Sequence, residues 1–136
     1  GMSAYALYYD YCMYRGYVPR THIGSPEREL QKAAETANSS VDGNGHVAGT
    51  KKHKVFSDTV KSYKNERIVT EASYKGGDYV SCGTKGSIRF DVVQYNRYGE
   101  VIKAWDFKTG SAYLSQSRIS AMIRRSGLDI PIHMIK

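Results

Sequence analysis

Hydrophobic positions recur along this chain with two different periods, and the switches between them set out its elements. Ser25-Pro-Glu-Arg-Glu29 opens a helix that should run to about residue 38, with serine as N-cap, proline in the first turn and acids beside it. Residues 38–50, rich in Ser, Asn and Gly, read as a flexible loop. Thr50 then caps a second predicted helix to about Tyr63, with Phe56, Val60 and Tyr63 on one face and His53 at its upstream edge. Arg67–Tyr74 reads as a strand, and a glycine-punctuated loop over 76–86 leaves room for a short strand inside it. Two longer strands follow, 87–95 and 100–108, joined by the turn-like Asn96-Arg-Tyr-Gly-Glu100. Ser115 should cap a helix through Arg125 that turns Ile119, Met122 and Ile123 inward and stops at Gly127. Ile130–Ile135 is a last short strand, and Pro131 suits an edge position or a strand start. Upstream, Tyr5, Tyr8, Tyr9, Tyr11, Tyr14 and Tyr17 recur at spacings of three and four, which predicts a helix with an aromatic face.

Composition narrows the class. The 136 residues are 40 % hydrophobic and 24 % charged, an ordinary globular balance for one domain. No apolar run approaches the roughly 20 residues of a membrane-spanning helix. Residues 3–18 are tyrosine-rich rather than aliphatic, so no secretory signal peptide is expected, and Gly1 before Met2 reads as a cloning remnant. A net charge of +7 favours a polyanionic partner, nucleic acid first, against the plainer reading of a basic surface that serves solubility. Cys12 and Cys82 form neither a CxxC pair nor a zinc cluster; two free thiols are the default reading, with one disulfide as the alternative. His22, His46 and His133 share no metal-ligand spacing.

The chemistry gathers in the predicted hairpin. Pairing centred on its turn sets Asp91 opposite Asp106 and Arg89 opposite Lys108, and alternation projects all four from the same side. Opposed Cβ atoms lie about 5 Å apart, and two carboxylates at that distance repel unless a cation sits between them. A hard divalent ion such as Mg²⁺ suits such oxygens. The alternatives are structural: a surface ion pair for Asp106 and Lys108, and a hydrogen-bonded strand-end carboxylate for Asp91.

A carboxylate on one strand, Asp-x-Lys on the next and then a helix resemble the PD-(D/E)xK nuclease superfamily. Residues 49–135 follow its core order of helix, three strands, helix and strand. Gly86-Ser-Ile-Arg-Phe-Asp-Val-Val93, Trp105-Asp-Phe-Lys-Thr-Gly110 and Gly49-Thr-Lys-Lys-His-Lys-Val-Phe56 look like the restriction-endonuclease-fold toxin domains of bacterial polymorphic toxins, of the Rhs and contact-dependent inhibition types. The resemblance spans about two-thirds of the chain and departs from the pattern at the proline, which is Phe90 here. It implies an α/β (α+β) fold with a restriction-endonuclease-like core over 49–136, behind an N-terminal helical lead-in over 1–48, the whole compacted as one domain. It also implies Mg²⁺ or Mn²⁺ held by Asp91 and Asp106, with Lys108 on the attacking water and the developing charge. Asp58, on the first core helix, is expected to face solvent, so Glu71 and His53 are the further candidate catalytic residues. Arg89, Arg118, Arg124 and Arg125 are candidate nucleic-acid contacts, against the plainer reading of a solvated helix face for the last three.

The function so implied is a metal-dependent endonuclease acting on nucleic acid, DNA ahead of RNA. It would be a secreted antibacterial effector domain working in the target-cell cytoplasm and blocked by a cognate immunity protein. The rival readings are an intracellular restriction or repair nuclease and a basic, aromatic-rich module that binds nucleic acid without cutting it.

Overall fold

The computed structural model describes residues 26–136, so the tyrosine-rich segment, Ser25, Cys12 and His22 lie outside the described residues. Three helices and five strands follow in the order α1 (Pro26–Ser40), α2 (His46–Ser62), β1 (Ile68–Lys75), β2 (Asp78–Val80), β3 (Ile88–Tyr95), β4 (Val101–Phe107), α3 (Gln116–Ser126) and β5 (Ile132–Ile135). The strands form one mixed sheet ordered β2-β1-β3-β4-β5, antiparallel except for the parallel β4–β5 pair. The chain is thus a mixed α/β unit. No described helix is long and apolar enough to cross a membrane.

The sheet is covered on both sides because its strands carry apolar residues on both. On one face, Ala72, Tyr74, Ile88, Phe90, Val93, Tyr95, Ala104 and Ile132 pack with Met122 of α3, and Ile119 and Ile123 lie against them. On the other, Val92, Trp105, Phe107 and Ile135 pack with Leu30, Ala33, Ala34 and Ala37 of α1 and with Phe56 and Val60 of α2. The run of alanines lets α1 approach closely. Phe56 stacks on Phe107 with ring centroids 4.5 Å apart, fixing α2 over the end of β4. In the α3 layer the Tyr74 and Tyr95 hydroxyls hydrogen-bond each other, which meets the polar need of two buried rings.

The expected loop over 38–50 is shorter than its composition suggested. Helix α1 continues to Ser40, where the Ser39 and Ser40 hydroxyls both donate to the Thr36 carbonyl, 3.2 and 2.6 Å away. Helix α2 starts at His46 rather than Thr50, whose hydroxyl instead donates to the His46 carbonyl at 2.9 Å inside the helix. Gly49 belongs to α2 for a packing reason: a Cβ there would stand 3.2 Å from Thr109 Oγ1, so a bare backbone lets the helix lie against the end of β4. At α3 the expected caps are present. Ser115 accepts from the Arg118 N–H, and Gly127, at φ +73°, ends the helix with its N–H on the Ile123 carbonyl.

One feature of the sheet was not expected. Along β3, Ile88 and Phe90 face α3, yet Val92 faces α1 and α2 while Val93 and Tyr95 face α3 again. Along β1, Ile68 and Val69 take opposite faces, and then Ala72 and Tyr74 both face α3. Both strands therefore change face at the same step, between Thr70↔Val92 and Ala72↔Phe90 in the ladder, and the residues at that step are Glu71 and Asp91. Glu71 takes φ +56°, unusual for a side-chain-bearing residue in a strand.

Candidate functional site

Strands β3 and β4 keep the expected register from Gln94↔Lys103 to Val92↔Trp105, and there their ladder ends. Beyond that point β4 continues with β5 as its partner, through Asp106↔Met134 and Phe107↔Ile135. The opening leaves the Phe107 backbone without β3, and two side chains take its place. The Phe107 N–H donates to Asp91 Oδ2 at 2.7 Å, and the Phe107 carbonyl lies 2.8 Å from His53 Nε2. Asp91 and His53 thus hold the parted strands at a fixed spacing.

His53 stands on α2 one turn after Gly49, whose carbonyl lies 2.9 Å from Nδ1. Both ring nitrogens face carbonyl oxygens, which only accept, so the geometry is satisfied in full by the doubly protonated imidazolium. Asp91 Oδ2, 3.7 Å from Nε2, favours the same state. With Asp91 as the largest influence and the two carbonyls adding to it against the cost of burial, the His53 pKa is pushed up from 6.5 to about 9. A pKa raised on folding gives stability that is fully present below about pH 6.5 and lost as pH rises through about 9. The side chain is 40 % exposed, so solvent screening leaves about 1–2 kcal/mol of the full shift. Urea unfolding in EDTA at about pH 6 and about pH 9.5 should show that loss, and His53→Gln should remove it. An equal pH dependence in both proteins would refute the assignment.

Asp106 and Lys108 flank Phe107 in β4. Trp105 and Phe107 face α1 and α2, so alternation turns Asp106 and Lys108 to the other side, while Asp91 at the face change is drawn to Phe107 and His53. The single shared face expected for Asp91 and Asp106 is therefore corrected: the register holds, but the β3 irregularity redirects Asp91. The opposition of Arg89 to Lys108 is likewise replaced, since Arg89 pairs with Ser73 of β1 beyond the end of the β3–β4 ladder.

The two acids still sense each other. The Asp106 carboxyl is raised above its ordinary pKa first by burial and then by the Asp91 charge, while Lys108 and His53 pull it down. Its Oδ2 is buried and paired with Lys108 Nζ at 3.0 Å. A buried carboxylate repelled by a second acid favours a nearby cation, a place that the Lys108 ammonium takes here. Among the described residues no three His, Cys, Asp or Glu side chains cluster tightly enough to hold a metal ion. The structural alternatives are present in the same geometry, as the Asp91 hydrogen bond and the Asp106–Lys108 ion pair.

The remaining candidates lie elsewhere. Glu71 pairs with Arg89 at 3.2 Å and approaches Lys61 at 4.0 Å. Arg118, Arg124 and Arg125 are exposed on α3, with Arg125 3.5 Å from the Ser87 carbonyl. Asp58 is exposed and paired with Lys54, as expected of a solvent-facing position. A cleft of about 540 Å³ opens beside α2, with His46, Thr50, His53, Lys54, Glu71, Arg89 and Thr109 on its walls. Sequence reading missed the Phe107 backbone groups, which carry no residue-type signal. It also missed Thr50 and Thr109 as cleft residues, although a glycine four residues before a histidine on one helix face was a legible sign of close approach. Compared with known protein families, curated proteins and solved structures, the chain finds no match.

Proposed function

We propose that the chain is a metal-dependent nuclease that hydrolyses phosphodiester bonds, DNA ahead of RNA, with a restriction-endonuclease-like core. The observation that carries the reading is a buried Asp106–Lys108 pair within electrostatic reach of Asp91 and His53 where β3 and β4 part. Helix α2, strands β1, β3 and β4, helix α3 and strand β5 also follow the order that the PD-(D/E)xK resemblance implies.

Asp91 and Asp106 would hold the ion. When bound, a divalent cation supplies Lewis-acid polarisation of a phosphoryl oxygen and a water acidified toward neutral pH. Lys108, an ammonium 3.0 Å from Asp106, is placed to orient the attacking water and to offset charge gathering on the phosphoryl oxygens. His53 acts as a fixed positive charge rather than a base, because both its nitrogens are engaged as donors. Burial at Asp106 strengthens each of these interactions relative to water.

The biological role that fits the resemblance and the +7 charge is an effector domain delivered into a neighbouring bacterial cell, with an acidic immunity protein as its inhibitor. The experiment incubates the protein with plasmid DNA and with RNA, in Mg²⁺, in Mn²⁺ and in EDTA. Cleavage that requires the metal is the expected result. Band shifts without cutting under every condition would replace this reading with a binding module, and equal cleavage in EDTA would remove the metal from it.

A further inference from the structure

We propose that the cleft beside α2 is a second phosphate subsite, which takes a phosphodiester flanking the scissile one, and that Glu71 fills it electrostatically until the strand arrives. The inference rests on the nuclease reading for its substrate class and deepens it by assigning a role to Glu71.

The cleft, about 540 Å³, is large enough for a phosphate with part of its sugar. Its walls carry Arg89, Lys54, His53, Thr50 and Thr109. Arg89 offers the planar fork that grips a phosphate through two N–H groups. His53 ties the cleft to the proposed reaction centre, since its Nε2 lies 3.7 Å from Asp91 Oδ2. A strand whose scissile phosphate lies at Asp91 and Asp106 therefore passes this cleft within a short reach.

The acid in this basic wall is Glu71. At φ +56° its backbone is held in a costly conformation, and its carboxylate lies 3.2 Å from the Arg89 guanidinium. Both side chains are nearly half exposed, at 49 % and 42 %, so the pair is screened by solvent and weak. A phosphodiester carries the same charge as the carboxylate and presents two oxygens to the same fork. It can displace Glu71 at little cost, and Lys61, 4.0 Å from Glu71, is placed to receive the released carboxylate. In the empty cleft Glu71 also keeps Arg89 from collecting other anions.

The test measures binding of a fluorescein-labelled oligonucleotide by polarisation, in EDTA, for the parent chain and for Glu71→Gln, Arg89→Ala and Lys54→Ala, with thermal melts confirming that each variant folds. Glu71→Gln should tighten binding severalfold. Arg89→Ala should weaken it roughly 5- to 10-fold and lower the salt slope by about one, and the exposed Lys54→Ala should do the same to a smaller degree. Unchanged or weaker binding in Glu71→Gln, or an unchanged salt slope in Arg89→Ala, overturns the proposal. Inorganic phosphate as competitor separates the two sources of this chemistry. Displacement only at a large excess marks a polynucleotide site, whereas displacement at concentrations matching the oligonucleotide marks a free-phosphate site and overturns the proposal. Because no cleavage is required, loss of the nuclease reading and loss of this subsite register in different assays.

Discussion

Asp106→Asn should abolish metal-dependent cleavage, by roughly 10³-fold or more, and leave the protein as stable as before or slightly more so. The two halves of that expectation have one cause. Asp106 is held in a place that disfavours its charge, by burial and by Asp91, with Lys108 and His53 as partial compensation. Asparagine keeps the shape and removes the charge, so the fold is relieved of a repulsion while the proposed cation loses a ligand. A residue whose neutralisation helps the fold and destroys the activity is retained for function. Lys108→Ala should lower cleavage comparably with the opposite effect on stability, because it strips the buried Asp106 carboxylate of its partner at 3.0 Å. Rates on a plasmid substrate, read beside urea midpoints, check both. Parental cleavage by Asp106→Asn would end the nuclease assignment.

Gly127→Ala should be the most damaging single methyl in the described chain. Gly127 ends α3 at φ +73°, and a Cβ there would stand 2.4 Å from Gly77 N and 2.6 Å from Gly76 C. These are backbone atoms of the turn that joins β1 to β2, and the turn is tied to α3 by the Gly77 N–H on the Ser126 carbonyl at 2.7 Å. Neither side can give way by rotating a side chain. The left-handed backbone costs an alanine about 1–2 kcal/mol, and the overlap adds about 1–3 kcal/mol more. A loss of about 3 kcal/mol should lower the melting temperature by roughly 10 °C. Gly83→Ala is the control: φ is +85°, nothing lies within 4 Å of the added carbon, and only the backbone term remains. Equal melting temperatures for the two variants would show that the contact between α3 and the turn carries little.

Much of the fold was legible in the sequence because its signals are local. The Ser115 and Gly127 caps, the inward Ile119, Met122 and Ile123, the Phe56–Val60–Tyr63 stripe and the hairpin register each follow from residues a few positions apart. The start of α2 at His46 was hidden by glycines at 43, 45 and 49 that read as loop, when Gly49 answers to Thr109, sixty positions downstream. The face change at Asp91 lies between Phe90 and Val92, which are two positions apart yet buried on opposite sides of the sheet; both are apolar, so residue type does not mark it. Counting strict alternation through Asp91 puts Asp91 and Asp106 on one face. The parting of β3 from β4 was not legible, because there the Phe107 backbone is met by the Asp91 carboxylate and by His53 from α2, which no residue-type pattern announces.

The paired irregularity in β1 and β3 bears on how this chain can change length. Each strand shifts its inward side at the same rung, so the two remain matched before and after it. Losing one codon near Asp91 alone would send Val93 and Tyr95 toward the alanines of α1, where no room exists for a tyrosine. Descendants of this sequence should therefore gain or lose a residue there in both strands or in neither, and insertions should gather instead at the turns around Gly43 and Asn96.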